Sequence, residues 1–289
     1  MPAPRSSNGT DRTERPLDSL PSALPVAERF GERVRGELAV FLDYDGTLTP
    51  IVDDPDDALL SDEMRAAITE LASTTLVAIV SGRDLADVRS KVGIDGLAYA
   101  GSHGFDIRHP DGSSEQLAVE ALGALDAAQG VLEERIGEVP GARVERKRFA
   151  IAVHDRAVED PAKRERLAAI VEEVGRSHDE LRSTGGKRIH ELRPDIDWDK
   201  GRAIEMLLAE LDAEDRVPIY LGDDLTDEDG FRAVVARGGI AIVVRGEDDE
   251  RGTLADAALE RPADTGTFLA ELADLARGEE RDEERGDGS

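Results

Sequence analysis

Four uninterrupted apolar runs constrain this chain more than anything else in it: Leu38–Leu42 (LAVFL), Leu76–Val80 (LVAIV), Val217–Leu221 (VPIYL) and Ile240–Val244 (IAIVV). Such runs, with no polar alternation, read as strands buried on both faces, which belong to parallel sheets covered by helices. The intervening segments comply. Asp62–Ala72 has helical spacing through Met64, Ile68 and Leu71, a helix is predicted around Leu85–Lys91, and Leu97–Ala100 reads as a short further strand. Helices are also predicted over Lys200–Leu211, Asp227–Val235 and Thr267–Leu275. This alternation calls for right-handed crossovers, so the expected class is α/β with a Rossmann-like parallel-sheet core domain.

The rhythm changes after Phe105. Phe105–His109 and Ser114–Val119 flank Pro110-Asp111-Gly112, a turn signal that predicts a hairpin. A helix near Glu120–Glu138, strands within Ala142–Asp155, a helix near Pro161–Gly175 and strands within Leu181–Leu192 follow. The expected organisation is a core domain of residues 26–109 and 194–277 interrupted by an inserted α+β cap domain, residues 110–193. Residues 1–25, rich in Pro, Ser and charge, and the acidic stretch 278–289 have no apolar periodicity and are expected to be disordered tails. No repeat of a few tens of residues is visible, which argues against a solenoid or propeller.

Charge narrows the function. With 64 acidic and 36 basic side chains the formal net charge is −28, which excludes a nucleic-acid clamp and disfavours docking on anionic lipid. The chain has no cysteine, so disulfides, thiolate zinc sites and a Cys nucleophile are excluded. The apolar runs are too short to span a bilayer and the N-terminus lacks the apolar core of a signal peptide, so the expected location is cytoplasmic. Lysines are scarce: Lys91, Lys147, Lys163, Lys187 and Lys200 are the only ones. Arg-favouring codon usage would account for that scarcity but not for the acidic surplus, and a halophilic, salt-screened setting accounts for both.

The chemistry-bearing residues sit at strand ends. Asp43-Tyr44-Asp45-Gly46-Thr47 follows the first apolar run directly, where open parallel sheets place their ligand sites. Alone, D-x-D-G could be a turn or a Ca²⁺ loop, though the ligand spacing and distal Glu of an EF-hand are missing. Gly222-Asp223-Asp224-Leu225-Thr226-Asp227-Glu228 follows another buried run, and with Asp43 and Asp45 it makes a hard-cation oxygen site. The bland alternative is chance clustering in an acidic chain, with Asp227 at a helix start. Ser81-Gly82-Arg83 ends the second run, where hydroxyl and backbone N–H groups could hold an anion; alternatively Ser81 or Asp84 only caps the next helix. Lys200 opens a helix, where a cation is disfavoured by the macrodipole, and its alternative is a simple salt bridge to an Asp.

These four elements in this order resemble the haloacid dehalogenase superfamily of phosphotransferases. The resemblance implies that Asp43 is the nucleophile, that Asp45 protonates the leaving alcohol and then activates water, and that Ser81 and Lys200 hold the transferring phosphoryl group. It also implies Mg²⁺ bound by Asp43, the backbone carbonyl of Asp45 and Asp223, with Asp224 or Asp227 supporting. FLDYDGTLTPI, IVSGR, Gly101-Ser102-His103-Gly104, Glu145-Arg146-Lys147 leading to His154-Asp155-Arg156, Lys187 to Glu191-Leu192-Arg193-Pro194, and YLGDDLTDEDGF are similar to the trehalose-6-phosphate phosphatase family. That likeness runs from Phe41 to about Leu275. It implies that Glu145, Lys147 and Glu191 bind sugar hydroxyls and that His103, His154 and Arg156 shape the pocket. Gly46, Thr47, Gly82, Arg83 and Ser102 complete the implied substrate site. His154-Asp155-Arg156 departs from the family, which usually has an aromatic residue between that His and Arg. Taken singly, Glu145, Lys147 and Arg156 could be solvated strand-face charges, and His103 a structural hydrogen-bonding group in its loop.

The expected activity is Mg²⁺-dependent hydrolysis of trehalose 6-phosphate through an aspartyl-phosphate, by a monomer acting on a small-molecule sugar phosphate. Alternatives are a phosphatase for sucrose 6-phosphate or mannosyl-3-phosphoglycerate, and a silent module regulating a trehalose-6-phosphate synthase partner. A phosphoryl-accepting receiver domain is disfavoured by the inserted segment and the D-x-D-G-T spacing.

Overall fold

A computed structural model describes residues 13–52, 54–186, 189–246 and 251–286. In chain order the elements are β1 (Arg15–Pro16), α1 (Val26–Phe30), β2 (Leu38–Leu42), α2 (Asp62–Leu71), β3 (Leu76–Val80), α3 (Leu85–Val92), β4 (Ala98–Gly101), β5 (Asp106–Arg108) and β6 (Ser114–Gln116). Then come α4 (Leu122–Ile136), β7 (Arg143–Lys147), β8 (Ala150–His154), α5 (Pro161–Arg176), β9 (Leu181–Gly186), β10 (Ile189–Pro194), α6 (Lys200–Glu210) and β11 (Val217–Gly222). α7 (Glu228–Ala236), β12 (Ile240–Val244), β13 (Gly252–Thr253), β14 (Ala257–Leu259) and α8 (Pro262–Gly286) close the chain. The fold is α/β, and the residues form two units: one runs up to Val80, over Arg89–Tyr99 and from Asp199 onward, the other comprises Ser81–Val88 and Ala100–Trp198.

The first unit is built on parallel strands in the order β14-β12-β11-β2-β3. All five residues of β2 and of β12 are buried, the burial expected of apolar runs sandwiched between helices. From β2 the chain moves outward through β3, and it returns at β11 to move outward the other way through β12 and β14. The switch point therefore lies between β2 and β11, where Leu42 pairs with Leu221 and the N–H of Asp43 donates to the carbonyl of Leu221 at 2.9 Å. Crevices at such points, beyond the carboxyl ends of the strands, are where parallel sheets bind ligands.

The second unit carries an antiparallel sheet in the order β7-β8-β10-β9 and the β5–β6 hairpin. Residues directly opposite one another in an antiparallel sheet share a face. Ile151, Val153, Leu181 and Leu192 lie on one face and join Leu125, Leu132, Leu167 and Val171 of α4 and α5 in a buried core. Each such aliphatic side chain contributes about 1.5–3 kcal/mol by leaving water. On the opposite face Glu145, Ala152, Glu191 and Thr184 form one cross-strand row.

The structure corrects the expected tails. Residues 1–12 and 287–289 lie outside the described residues, but Leu17, Leu20 and Ala23 are buried and β1 pairs with β13. Arg15 adds a hydrogen bond to the carbonyl of Ala255 at 2.7 Å. These apolar residues are spaced by three among Pro and Ser, with neither helical nor strand periodicity, and their partners lie more than 200 positions away. At the other end α8 continues through Gly278 to Gly286 rather than ending in a tail. Among the described residues no helix is long and apolar enough to cross a membrane.

Candidate active site

The end of β2 and the end of β11 bring three carboxylates together. Oxygens of Asp43, Asp223 and Asp227 all lie within 4.8 Å of one another, and Asp43 and Asp227 are buried. Lys200, the first residue of α6, is buried among them: its Nζ donates to Asp43 Oδ1 at 2.7 Å and to Asp227 Oδ1 at 2.6 Å. Asp199 caps α6 by accepting from the N–H of Arg202 at 2.8 Å, which fixes where the helix begins and hence where Lys200 projects. The salt-bridge reading of Lys200 and the functional one thus describe the same ammonium.

Burial pushes the Asp43 carboxyl up to about 7; Lys200 opposes the rise, and Asp227 and Asp45 add to it. Asp223 is also pushed well above the carboxylate range, by burial first and then by Asp43 and Asp227. Burial would favour the neutral amine of Lys200, but the two carboxylates outweigh it and hold the ammonium charged. Two buried acids and a half-buried one against a single base is an arrangement a hard divalent cation relieves.

The loop after β2 is a tight turn, with the N–H groups of Leu48 and Thr49 both donating to the carbonyl of Tyr44, at 2.9 and 3.1 Å. Gly46 within it has φ +78°, and a Cβ there would stand 2.1 Å from Asp223 Oδ2, so only glycine lets the two strand ends approach. Thr47 is fully buried, and its hydroxyl has no hydrogen-bond partner among the described residues. Asp45 is half-buried beside them.

Asp224 and Asp227 are both held by hydrogen bonds within the loop after β11. Asp227 Oδ2 accepts from the N–H groups of Asp223 and Asp224 at 3.0 and 2.9 Å, while Oδ1 accepts from Lys200 and from the hydroxyl of Tyr220. Both oxygens are thus engaged. Asp224 is exposed, and its carboxylate accepts from the N–H of Leu225 at 2.6 Å.

Two supporting groups escape sequence reasoning. Tyr220 is a buried tyrosine in an apolar strand, and a buried phenol needs a partner, which was the one available signal. Arg251 donates to the backbone carbonyl of Asp223 at 2.7 Å and pairs with Glu228, whose other oxygen accepts from the N–H of Leu254 at 2.9 Å. Nothing in the local sequence announces that clamp.

In the second unit, Ser81 follows β3 directly and is buried; its hydroxyl accepts from the N–H of Arg83 at 3.1 Å. The N–H groups of Ser102 and His103 donate to the carbonyls of Arg83 and Ser81 at 2.6 and 2.8 Å. Ser102 and His103 both have positive φ, 49° and 58°, a conformation that costs roughly 1–3 kcal/mol per residue and is retained at functional loops. The His103 imidazole lies against Gly82, where a Cβ would come within 2.7 Å of the ring. Arg83 pairs with Asp87 at 2.8 Å.

On the face of the antiparallel sheet opposite α4 and α5, His154 Nε2 is hydrogen-bonded to Glu145 Oε2 at 2.7 Å, and this bond, against burial, holds the Glu145 carboxyl down to about 2. Glu191 is buried, which would push its carboxyl up, but Arg193 and Lys147 outweigh that and hold it below the ordinary range. Lys147 Nζ lies 3.2 Å from Glu191 Oε1 and Arg193 Nε 2.9 Å from Oε2. Arg156 is exposed beyond β8, and Lys187 lies outside the described residues. Glu145, Lys147, His154 and Glu191 therefore share one polar face.

The sequence matches the trehalose-phosphatase family over residues 41–263. The chain belongs to that family. Its members include the trehalose-phosphate phosphatase of Mycobacterium marinum, 46% identical over 269 residues that cover 90% of this chain and 67% of that one. Among solved structures, the C-terminal domain of the C. albicans trehalose-6-phosphate phosphatase aligns with a TM-score of 0.75 at 25% identity, covering 89% of this chain and 99% of that one. The C-terminal domain of the Candida albicans trehalose synthase regulatory protein shares the fold, with a TM-score of 0.70 at 13% identity and coverage of 88% and 99%. The trehalose-phosphatase family is one of enzymes with the haloacid dehalogenase fold, and this chain has that fold.

Proposed function

We propose that this chain hydrolyses trehalose 6-phosphate to trehalose and phosphate, with Asp43 as the attacking group. The observation that carries the reading is the buried cluster at the β2–β11 switch point, in which Lys200 stands within 2.7 Å of Asp43 and of Asp227 in a trehalose-phosphatase family member. An Asp43 oxygen attacks phosphorus, forming the aspartyl–phosphate bond as the ester P–O bond breaks, and Asp45 gives its proton to the departing sugar oxygen. Water then attacks phosphorus, passes its proton to Asp45, and releases inorganic phosphate and free Asp43. Carboxylate attack on an anionic ester needs neutralisation, which Lys200 supplies together with the backbone N–H groups of the strand-end loops.

Asp43, Asp223 and the carbonyl of Asp45 are the groups that would hold Mg²⁺, whose double charge lowers the repulsion between nucleophile and substrate. Asp224 and Asp227 act through the loop. Ser81 with Gly82 and Arg83 serves the phosphoryl group, alongside Gly46 and Thr47. Glu145, Lys147 and Glu191 serve the sugar hydroxyls, with Ser102, His103, His154 and Arg156 supporting. The intact Asp43, Asp45, Ser81, Lys200 and Asp223 set favours this over a silent regulatory module bound to a synthase. The setting we propose is cytoplasmic.

Phosphate release from trehalose 6-phosphate, with Mg²⁺ and with chelator, tests the reading against sucrose 6-phosphate and mannosyl-3-phosphoglycerate. Strong preference for the trehalose ester is expected. Comparable rates on all three would remove the substrate assignment, and activity untouched by chelation would remove the cation.

A further inference from the structure

Asp84 stands between two sets of residues that the proposed function separates: the phosphoryl-binding loop at residues 81–83 and the sugar-binding strand β7. Its carboxylate faces the tip of the β7–β8 hairpin. The backbone N–H of Arg148, the residue after Lys147, lies 2.9 Å from Asp84 Oδ1 and 3.0 Å from Oδ2. The hydroxyl of Ser102 donates to the same Oδ1 at 2.9 Å. Ser102 and His103 in turn hold the 81–83 loop through the carbonyls of Arg83 and Ser81. All these residues belong to one unit.

The hairpin tip is secured on its other side as well. The rings of Phe149 and Phe105 stack at 5.8 Å, and Arg148 reaches Gln116 Oε1 at 2.8 Å and Asp106 Oδ2 at 3.8 Å. Those contacts fix where the tip sits sideways. Among the described residues Asp84 alone supplies a charged acceptor to its backbone, and charge-assisted hydrogen bonds of that kind are the strong, directional ones.

We propose that Asp84 is a positioning residue for substrate recognition: it ties the strand that carries Glu145 and Lys147 to the loop that carries Ser81, so that phosphoryl group and sugar hydroxyls are read at one set separation. The inference rests on the proposed function. A role only in capping α3 would be met by serine, which caps helices as well as aspartate does. Serine is too short to bind the amide of Arg148. Asparagine keeps one acceptor oxygen and no charge.

The test compares the full chain with its Asp84→Ser and Asp84→Asn variants, with Mg²⁺, on trehalose 6-phosphate and on p-nitrophenyl phosphate, which has no sugar to position. Hydrogen exchange at the Arg148 amide is followed in parallel. For Asp84→Ser, KM for trehalose 6-phosphate is expected to rise about tenfold to a hundredfold, the loss of one charged hydrogen bond, while kcat/KM for p-nitrophenyl phosphate stays within about twofold. The Arg148 amide loses protection while the other β7–β8 amides keep theirs, and Asp84→Asn falls between. Equal losses on both substrates, or an Asp84→Ser enzyme unchanged on the sugar ester, overturns the inference. A wild-type enzyme that ignores trehalose 6-phosphate but hydrolyses another sugar phosphate overturns the proposed substrate instead, and the same split is then read on that ester.

Discussion

Replacing Lys200 with methionine keeps the aliphatic stem and removes the ammonium from between Asp43 and Asp227. Lys200 and Asp227 are 4% and 0% exposed, so water cannot substitute for the lost charge. Removing one member of a buried, hydrogen-bonded ion pair costs about 3–5 kcal/mol, because the partner is left charged and unpaired. With an unfolding entropy of about 2 cal/mol/K per residue, that loss lowers Tm by roughly 5–8 °C in a chain of this size. The loss should depend on pH with a definite sign. Burial already pushes Asp43 up to about 7 with Lys200 present, and without it the carboxyl rises further. A carboxyl whose folded pKa is raised binds its proton more tightly in the folded state, so stability falls as pH climbs from the ordinary carboxylate range towards the raised value. The part of the Lys200→Met deficit that comes from Asp43 is therefore small below about pH 7 and grows as pH rises above it, while the part from the lost Asp227 contact adds to it. Turnover should fall about 10²–10³-fold, the loss expected for a preorganised charge on a transferring group. Calorimetry of both proteins across that pH range, with phosphate release alongside, decides the matter. A variant within about 1 °C of wild type at high pH, and within about fivefold in rate, refutes the account of Lys200.

Asp43→Asn should lose at least about 10³-fold in turnover while its Tm is retained or raised, since the 2.6 Å contact between Lys200 and Asp227 survives; an active Asp43→Asn enzyme would remove the nucleophile assignment. Gly46→Ala puts a Cβ 2.1 Å from Asp223 Oδ2, and the Mg²⁺ concentration for half-maximal activity should rise about tenfold or more; an unchanged Mg²⁺ titration would show that the two strand ends need not meet. Chelator-treated protein should lose Tm as pH rises from about 5 to 8, because Asp43 and Asp223 are both raised, and Mg²⁺ should flatten that slope, as pH-resolved calorimetry would show. With a net charge of −28, Tm should rise with KCl, and equal stability in dilute buffer would discard the salt-adapted reading.

What could be read in the sequence was whatever repeats locally. LAVFL and IAIVV announce β2 and β12 because burial on both faces removes every polar residue from the run. β14, Ala257–Leu259, gives no such signal, since two of its three residues are alanines that suit many contexts. The candidate site was legible as far as residue type and strand end for Asp43 and Asp223, whereas Lys200 opens a helix and joined them only through the family resemblance. The division of labour among the acids was not legible. Asp223 and Asp227 look alike in sequence, and they differ only because Tyr220, Lys200 and two backbone N–H groups occupy the oxygens of Asp227. Asp84 illustrates the same limit: it reads as a helix cap, and its backbone partner Arg148 lies 64 positions away.

The net charge poses the sharper question of how a phosphate ester reaches such a site. The bases named in the proposed function or beside its residues already have acidic partners. Lys200 is shared by Asp43 and Asp227, Arg83 pairs with Asp87, Lys147 and Arg193 with Glu191, and Arg251 with Glu228. Burial and mutual repulsion hold the Asp43 and Asp223 carboxyls high, and once all three acids of the cluster ionise, one ammonium leaves two negative charges. A dianionic ester would meet repulsion there, and one divalent cation cancels that excess. In the proposed function a cation would thus serve substrate binding as well as the chemical step. Substrate affinity should collapse on chelation, and salt that screens the acidic coat should speed association while scarcely touching kcat. The surplus acids and the site acids then act on different quantities: the coat sets the rate of encounter, and Asp43, Asp223 and Asp227 set what happens after it.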